Sequence, residues 1–350
     1  MKIHEKYIKR CIDLAKKGLG TTSPNPTVGS VIVYQNKIIG EGYTSPYGGN
    51  HAEVNAINST KNKSLLTKAT IYVSLEPCNH FGKTPPCSDL IVKHKLPNVV
   101  IGCIDPFEKV AGTGIEKLKA NGCNVIVGVL EQECIDSNKR FFTYQNKKRP
   151  YIILKWAETK DKFISPHLSS LPKGDEAKPI WITNKYSQQL VHKWRAEEDA
   201  ILIGTNTALN DNPKLNIRNW VGKNPVRIVL DRALRIPKNY HIYNGLVRTI
   251  ILTEKKEQSN DSVIFEQIDF SKNIALQICN VLNEYKLISV FVEGGKQTLE
   301  TFIEADLWDE ARIFIGDTLF NRGLKAPIIK GNIISEIGIK SDLMKIIINP

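Results

Sequence analysis

Apolar residues recur at helical spacing at Tyr7, Ile8, Cys11, Ile12 and Ala15, and the run stops at Gly18 and Gly20, so the chain is expected to open with an amphipathic helix. Strand-like runs over 28–34 and 37–43 flank Gln35-Asn36 and read as a hairpin. The next helix is expected to begin near His51, with Val54, Ala56 and Ile57 on its buried side. A β-branched run over 69–75 reads as a strand. Cys87, just ahead of Leu90-Ile91-Val92, reads as a helix N-terminus, where backbone N–H groups favour a thiolate. Strands over 98–103 and 123–128 flank a helix that runs from Gly114 to a stop at Gly122. This is α/β alternation.

After Phe141-Phe142 the chain turns polar through Arg149-Pro150 and restarts with a strand over 151–156, which places a domain boundary between residues 1–146 and 147–350. The second half alternates again, with strands over 200–203, 226–230, 249–252 and 288–292 and helical patterns between several of them. Residues 254–261 are polar enough to form a mobile loop. Neither half repeats the other. The strand over 288–292 runs into Glu293-Gly294-Gly295-Lys296 and a helical stretch over 297–303, a junction that suits phosphate because glycines admit an anion to the backbone and a helix start presents unpaired N–H groups. A plain strand-to-helix turn has the same appearance. Gly112-Thr113-Gly114 lacks a third glycine and does not directly follow a strand, so it reads as a loop rather than a dinucleotide fingerprint.

A chain of 350 residues exceeds the usual size of one core, which also argues for two domains. The net charge of +12 admits nucleic acid, a membrane surface or phosphorylated small molecules as partners. Basic and acidic residues are interspersed, as in Glu254-Lys255-Lys256-Glu257, and there is no basic-aromatic stripe. A small phosphorylated partner is therefore expected, with no nucleic acid and no membrane; a homo-oligomer is left open. Seven scattered cysteines lack the density of a secreted disulfide scaffold and fit reduced thiols. The first seven residues hold no apolar h-region, so a soluble, cytoplasmic protein is expected.

Two segments carry the chemistry. His51-Ala52-Glu53 and Pro77-Cys78-Asn79-His80-Phe81-Gly82-Lys83-Thr84-Pro85-Pro86-Cys87 supply one His and two Cys of zinc-ligand type and one unliganded carboxylate. Three ligands leave the fourth position of a tetrahedral zinc open, the mark of a catalytic site. Zinc lowers the pKa of water there, and zinc deaminases use a Glu two residues after the ligand His as proton shuttle. Eight residues separate Cys78 from Cys87 where nucleobase deaminases generally have two, and Asn79, His80 and Lys83 on this loop are placed to hydrogen-bond a polar ring or its phosphate. By position alone a solvated loop is the ordinary reading of His80 and Lys83. Two rivals stand beside a small-molecule deaminase: a nucleic-acid deaminase with an appended binding domain, and a scaffold with a structural zinc, which leaves Glu53 unexplained.

The Cys78–Cys87 string, with Ser23-Pro24-Asn25-Pro26-Thr27-Val28-Gly29 upstream, resembles the deaminase half of the bifunctional riboflavin-biosynthesis deaminase/reductases. Leu154-Lys155-Trp156-Ala157, Trp181-Ile182-Thr183, Arg195-Ala196, the run from Thr207 through Asp211-Asn212-Pro213 to Arg218, and Glu293-Gly294-Gly295 resemble its reductase half in the same order. The resemblance implies a cytidine-deaminase-like three-layer α/β/α domain followed by a dihydrofolate-reductase-like α/β domain, with zinc and NADPH as cofactors. It implies His51, Cys78 and Cys87 as metal ligands, Glu53 as the catalytic proton shuttle, and Asn25, His80 and Lys83 as substrate contacts. In the second domain it implies Arg195, Leu215, Arg218 and Glu293 for substrate, the arginines suiting its phosphate. Trp181, Thr207, Asp211, Gly295, Lys296, Gln297, Thr298, Leu299, Glu300 and Thr301 would serve the cofactor. Lys155 stands beside the expected reductase site, as electrostatic aid or as structural salt bridge. One departure concerns the loop after Ala157, where the family's Ser-Leu-Asp-Gly is Thr159-Lys160-Asp161-Lys162 and a glycine is lost; another is Asp211-Asn212-Pro213 for Asp-Asp-Pro.

Overall fold

A computed structural model describes residues 2–81, 85–107, 111–166 and 181–350. The chain forms two compact units, Met1–Lys148 and Arg149–Pro350.

The first unit contains α1 (Lys2–Ala15), β1 (Gly29–Tyr34), β2 (Lys37–Tyr43), α2 (Ala52–Ser59), β3 (Thr70–Leu75), α3 (Cys87–Lys93), β4 (Asn98–Cys103), α4 (Thr113–Ala120), β5 (Asn124–Val127), α5 (Glu131–Ser137) and α6 (Lys139–Lys147). Its sheet has the order β2-β1-β3-β4-β5, with β1 antiparallel to both neighbours and β3, β4 and β5 parallel. Gln35 and Asn36 both take positive φ, the turn whose twist matches that of the strands it joins. α1 and α5 pack on one side of the sheet and α2, α3 and α4 on the other, which gives the three-layer α/β/α arrangement.

Three expectations change. Val54 is only half-buried, and the buried positions of α2 are Ala52, Glu53, Ala56 and Ile57. The cause is Gly40 and Gly42 on β2, where any β-carbon would overlap the backbone of Ala52 and Ala56. The helix lies flat on these glycines, so its contact line runs through two alanines one turn apart. The polar stretch after Phe142 is a helix, α6, anchored by buried Phe141. Gly112, at φ +80, precedes α4, which begins at Thr113, so Gly114 lies in its first turn and not in a loop.

The second unit contains β6 (Tyr151–Thr159), β7 (Phe163–Pro166), α7 (Lys185–Glu197), β8 (Ala200–Gly204), α8 (Thr205–Asp211), β9 (Val226–Leu230), β10 (Thr249–Thr253), β11 (Val263–Gln267), α9 (Ile274–Glu284), β12 (Ser289–Val292), α10 (Lys296–Glu304), β13 (Glu310–Gly316), β14 (Gly323–Lys325), β15 (Asn332–Ile339) and β16 (Asp342–Ile348). Nine strands form one sheet in the order β11-β10-β9-β8-β12-β6-β13-β16-β15. The first seven are parallel, β16 runs antiparallel to β13 and β15 antiparallel to β16, the dihydrofolate-reductase-like α/β arrangement. Strands β8 and β12 are buried at every position, as expected of central parallel strands covered on both faces. At their C-terminal ends the chain turns into α8 and α10, the place where open α/β sheets hold ligands. No helix among the described residues is long and apolar enough to cross a membrane.

Candidate active sites

In the first unit, His51 caps the start of α2 and Cys87 is the first residue of α3, so two helix N-termini deliver two ligands. Cys78 follows β3 through Glu76 and Pro77. The ligand atoms of His51, Cys78 and Cys87 all lie within 4.8 Å of one another. His51 Nδ1 is 3.6 Å from Cys78 Sγ and 3.3 Å from Cys87 Sγ. A tetrahedral zinc with legs of about 2.1 Å to nitrogen and 2.3 Å to sulfur spans edges of roughly 3.5 Å, so this donor set fits the ion. The Cys87 thiol, the His51 ring and the Cys87 backbone N–H, at 3.4 Å, draw Cys78 down to about 4, and Cys87 keeps the proton that a metal would displace.

Glu53, one position into α2, is 3% exposed. Burial pushes its carboxyl up to about 7, against the pull of His51. A carboxyl so poised takes up and releases a proton near neutrality.

The loop that carries Cys78 is held by a residue the sequence reading missed. Glu76 is buried, and its carboxylate accepts the backbone N–H groups of Gly112, Gly114 and Ile115 at 3.0, 3.0 and 3.3 Å, binding the metal loop to the start of α4. An acidic residue at a strand end just before Pro-Cys was the available signal. Ser88 ties the other side, giving its N–H to the Cys78 carbonyl at 3.1 Å and its hydroxyl to Asn79 Oδ1 at 3.1 Å. Asn79 also donates to the Thr113 carbonyl at 3.3 Å, so its side chain is structurally occupied. His80 is exposed and meets the edge of Phe107. Asn25 lies in a turn closed by Thr22, and the next turn residue but one, Thr27, is pinned to Asn138 Oδ1 through both N–H and hydroxyl. Lys83 lies outside the described residues.

In the second unit, Glu293 follows β12 and Arg195 projects from α7. Arg195 grips Glu293 with two hydrogen bonds, Nε to Oε1 at 2.6 Å and Nη2 to Oε2 at 2.8 Å, and Lys155 Nζ on β6 stands 3.7 Å from Oε2. Burial would raise the Glu293 carboxyl, but Arg195 and Lys155 prevail and hold it at about 2. Lys155 is an ion-pair partner in this cluster, and its own pKa falls through burial. Arg218 is exposed, its guanidinium 3.0 Å from Asn216 Oδ1, and Arg195 and Glu293 both act on it. Three cations therefore face one carboxylate, a surplus suited to a phosphate.

Thr207 and Gly295 come together: the Gly295 N–H donates to Thr207 Oγ1 at 2.9 Å. Gly295 caps α10 without a side-chain hydrogen bond, so the first-turn N–H groups are available to an anion, and these features fit a dinucleotide phosphate. Thr298 is buried against Gly204 and Gly294, where β-carbons would overlap it. Lys296 pairs with Glu300 at 3.5 Å, while Thr301 bonds back to the Gln297 carbonyl. Asp211 is exposed at the end of α8 and Trp181 is 62% exposed. Leu215 and Leu299 are buried in apolar clusters, so only their backbones can face a ligand. In the altered loop, Lys162 does take the left-handed conformation, φ 69, and its ammonium pairs with buried Glu158 at 2.5 Å. Asp161 accepts the N–H groups of Phe320 and Asn321, so the turn keeps its shape without glycine.

Residues 150–336 match the family described as RibD C-terminal domain, and residues 1–103 match the cytidine and deoxycytidylate deaminase zinc-binding region. The riboflavin biosynthesis protein RibD of Aquifex aeolicus is 39% identical over 344 residues, 97% of this chain and 92% of its own. That of Actinobacillus pleuropneumoniae is 38% identical over 333 residues, 92% of this chain and 86% of its own. A solved structure from Thermotoga maritima, a diaminohydroxyphosphoribosylaminopyrimidine deaminase/5-amino-6-(5-phosphoribosylamino)uracil reductase, is 37% identical with a TM-score of 0.89, covering 100% of this chain and 99% of that one.

Proposed function

The chain belongs to the family of bifunctional riboflavin-biosynthesis deaminase/reductases, and we propose that its two clusters divide the two reactions between the units. It acts in riboflavin biosynthesis, deaminating 2,5-diamino-6-ribosylamino-4(3H)-pyrimidinone 5′-phosphate and then reducing the ribosyl group with NADPH to give 5-amino-6-ribitylamino-uracil 5′-phosphate. The observation that carries the division is buried Glu53 beside three converging metal ligands.

His51, Cys78 and Cys87 would hold a zinc ion, which would supply Lewis-acid activation of the water for hydrolysis of the ring amine. Glu53 would carry one proton of that water to the ring nitrogen and then the remaining hydroxyl proton to the amine, which leaves as ammonia as the C–N bond breaks; its carboxyl is raised to about 7. Glu76 and Ser88 keep the Cys78 loop in place while it reacts. Asn25, His80 and Lys83 are assigned to the substrate.

NADPH would supply a hydride to C1′ of the sugar in its ring-opened imine form, whose nitrogen takes up a proton as the C=N bond is reduced. Thr207, the glycine pair and the start of α10 orient its phosphates, with Trp181 and Asp211 as further contacts and Leu299 acting through its backbone. Arg195 and Arg218 hold the substrate's phosphate, Glu293 holds its polar groups, and Leu215 contributes backbone only.

The test is Glu53→Gln. Metal content should stay at one equivalent and deamination should fall at least about a hundredfold, with reduction intact. Deamination at the parent rate would remove the proton-shuttle role.

A further inference from the structure

His192 sits on α7 one turn before Arg195, on the same helix face. It is buried, yet nothing in the deamination or the reduction has so far used it. Its ring meets the loop after α8 at the Arg218 backbone, whose N–H donates to Nδ1 at 3.4 Å. The charged groups that face the ring are Arg195 on its own helix, Arg218 on the loop and Glu293 after β12. Burial and the two guanidinium groups press its pKa down to about 4, so the imidazole is neutral at ordinary pH, with one nitrogen free to accept and the other to donate.

The loop needs such a clasp. Residues 212–218 contain no helix or strand beyond α8, and Leu215 takes a left-handed conformation, φ 48. On the far side of Leu215, buried Arg227 donates to the Lys214 carbonyl at 2.6 Å. On the near side, Arg195 gives Nε and Nη2 to Glu293 and Nη1 to the Asn216 carbonyl at 3.4 Å. The Ile217 N–H is held by Asn224 Oδ1 at 2.9 Å, and the Arg218 N–H by the imidazole.

We propose that His192 is a positioning residue of the reductase unit: its ring holds the backbone N–H of Arg218 and so sets the Arg218 guanidinium beside Arg195, where the two arginines receive the phosphate of the ribotide. This rests on the reading of Arg218 as a phosphate ligand. An amide can replace such a ring, because it also offers one acceptor and one donor; an aliphatic side chain of similar size cannot.

The experiment measures reductase kinetics of the full chain on 5-amino-6-(5-phosphoribosylamino)uracil for His192→Leu, His192→Asn, Arg218→Ala and the His192→Leu/Arg218→Ala double variant. His192→Leu should raise KM for the ribotide by about tenfold or more with kcat changed less than about threefold and KM for NADPH unmoved. His192→Asn should recover most of the loss. Arg218→Ala should raise the same KM, and adding His192→Leu to it should cost under about twofold, since no guanidinium remains to be placed. A ribotide KM at the parent value in His192→Leu, with Arg218→Ala impaired, overturns the proposal. So does an Asn variant as poor as the Leu variant, or an equal rise in both KM values, which would mark a merely structural residue. If the Leu variant fails to fold, His192→Ala compared with His192→Asn makes the same decision. An unmoved KM in Arg218→Ala overturns instead the reading of Arg218 on which the proposal stands.

Discussion

Gly114, in the first turn of α4, lies against the Pro77 carbonyl so closely that a β-carbon would overlap the oxygen. The contact is backbone on backbone, so no side chain can yield, and Pro77 directly precedes the ligand Cys78. Gly114→Ala should push the metal loop off α4. The expected cost is about 1–3 kcal/mol, seen as a lower melting temperature and a metal that a competing chelator removes more readily. Gly112 provides the contrast: nothing lies within 4 Å of its β-carbon position, and its φ of +80 makes Ala strained without a clash. Gly112→Ala should cost only about 1 kcal/mol and leave metal affinity unchanged.

Lys162 holds the place where the family has glycine. Its φ of 69 lies at the edge of the left-handed region open to ordinary residues, and its ammonium pairs with Glu158. Lys162→Gly should therefore change unfolding free energy by less than about 0.5 kcal/mol and reductase turnover by less than about twofold. A rise in turnover of tenfold would show that the substituted loop limits the enzyme.

Glu293 gives the second unit an acid sensitivity. Its carboxyl is held at about 2, below the ordinary 4.5, because Arg195 and Lys155 outweigh burial. A carboxylate with a depressed folded-state pKa contributes its full stability above the unfolded value and loses it as pH falls toward the folded one. The contribution is on the order of 3 kcal/mol above pH 5 and declines between about 4.5 and 2. Urea unfolding of Glu293→Gln at pH 7 and pH 3 should show a large deficit against the parent protein at the first and a smaller one at the second. A deficit independent of pH would mean that lost packing, and not the charge, is responsible.

What the sequence disclosed depended on how local the relevant physics is. His51, Cys78 and Cys87 were legible because ligand chemistry is written in residue type, and two of the three stand at helix starts that the apolar pattern marks. Strands β8, β9, β10 and β12 were legible as apolar runs of the central sheet. Edge strand β15 was not, because most of its positions are exposed and no buried face imposes a pattern. Glu76 escaped notice because its partners, Gly112, Gly114 and Ile115, come from a helix that folds back from more than thirty residues away. His192 escaped because a lone His in an amphipathic helix has no signature of its own; its meaning comes from a loop brought to it by the fold. The grip of Arg195 on Glu293 joins residues 98 positions apart, and only the resemblance had named both.

The most direct test of two reactions at two sites is mass spectrometry of the diaminopyrimidinone ribotide incubated with the zinc-loaded protein, with and without NADPH, and again after chelation. Zinc-loaded protein alone should exchange the amine for an oxo group, and NADPH should then add two hydrogens. Chelated protein should leave the diamino ribotide unchanged while still reducing the deaminated ribotide supplied to it. Deamination that survives chelation, or reduction that disappears with the metal, would contradict the division of chemistry between the His51-Cys78-Cys87 site and the Arg195-Glu293 cluster.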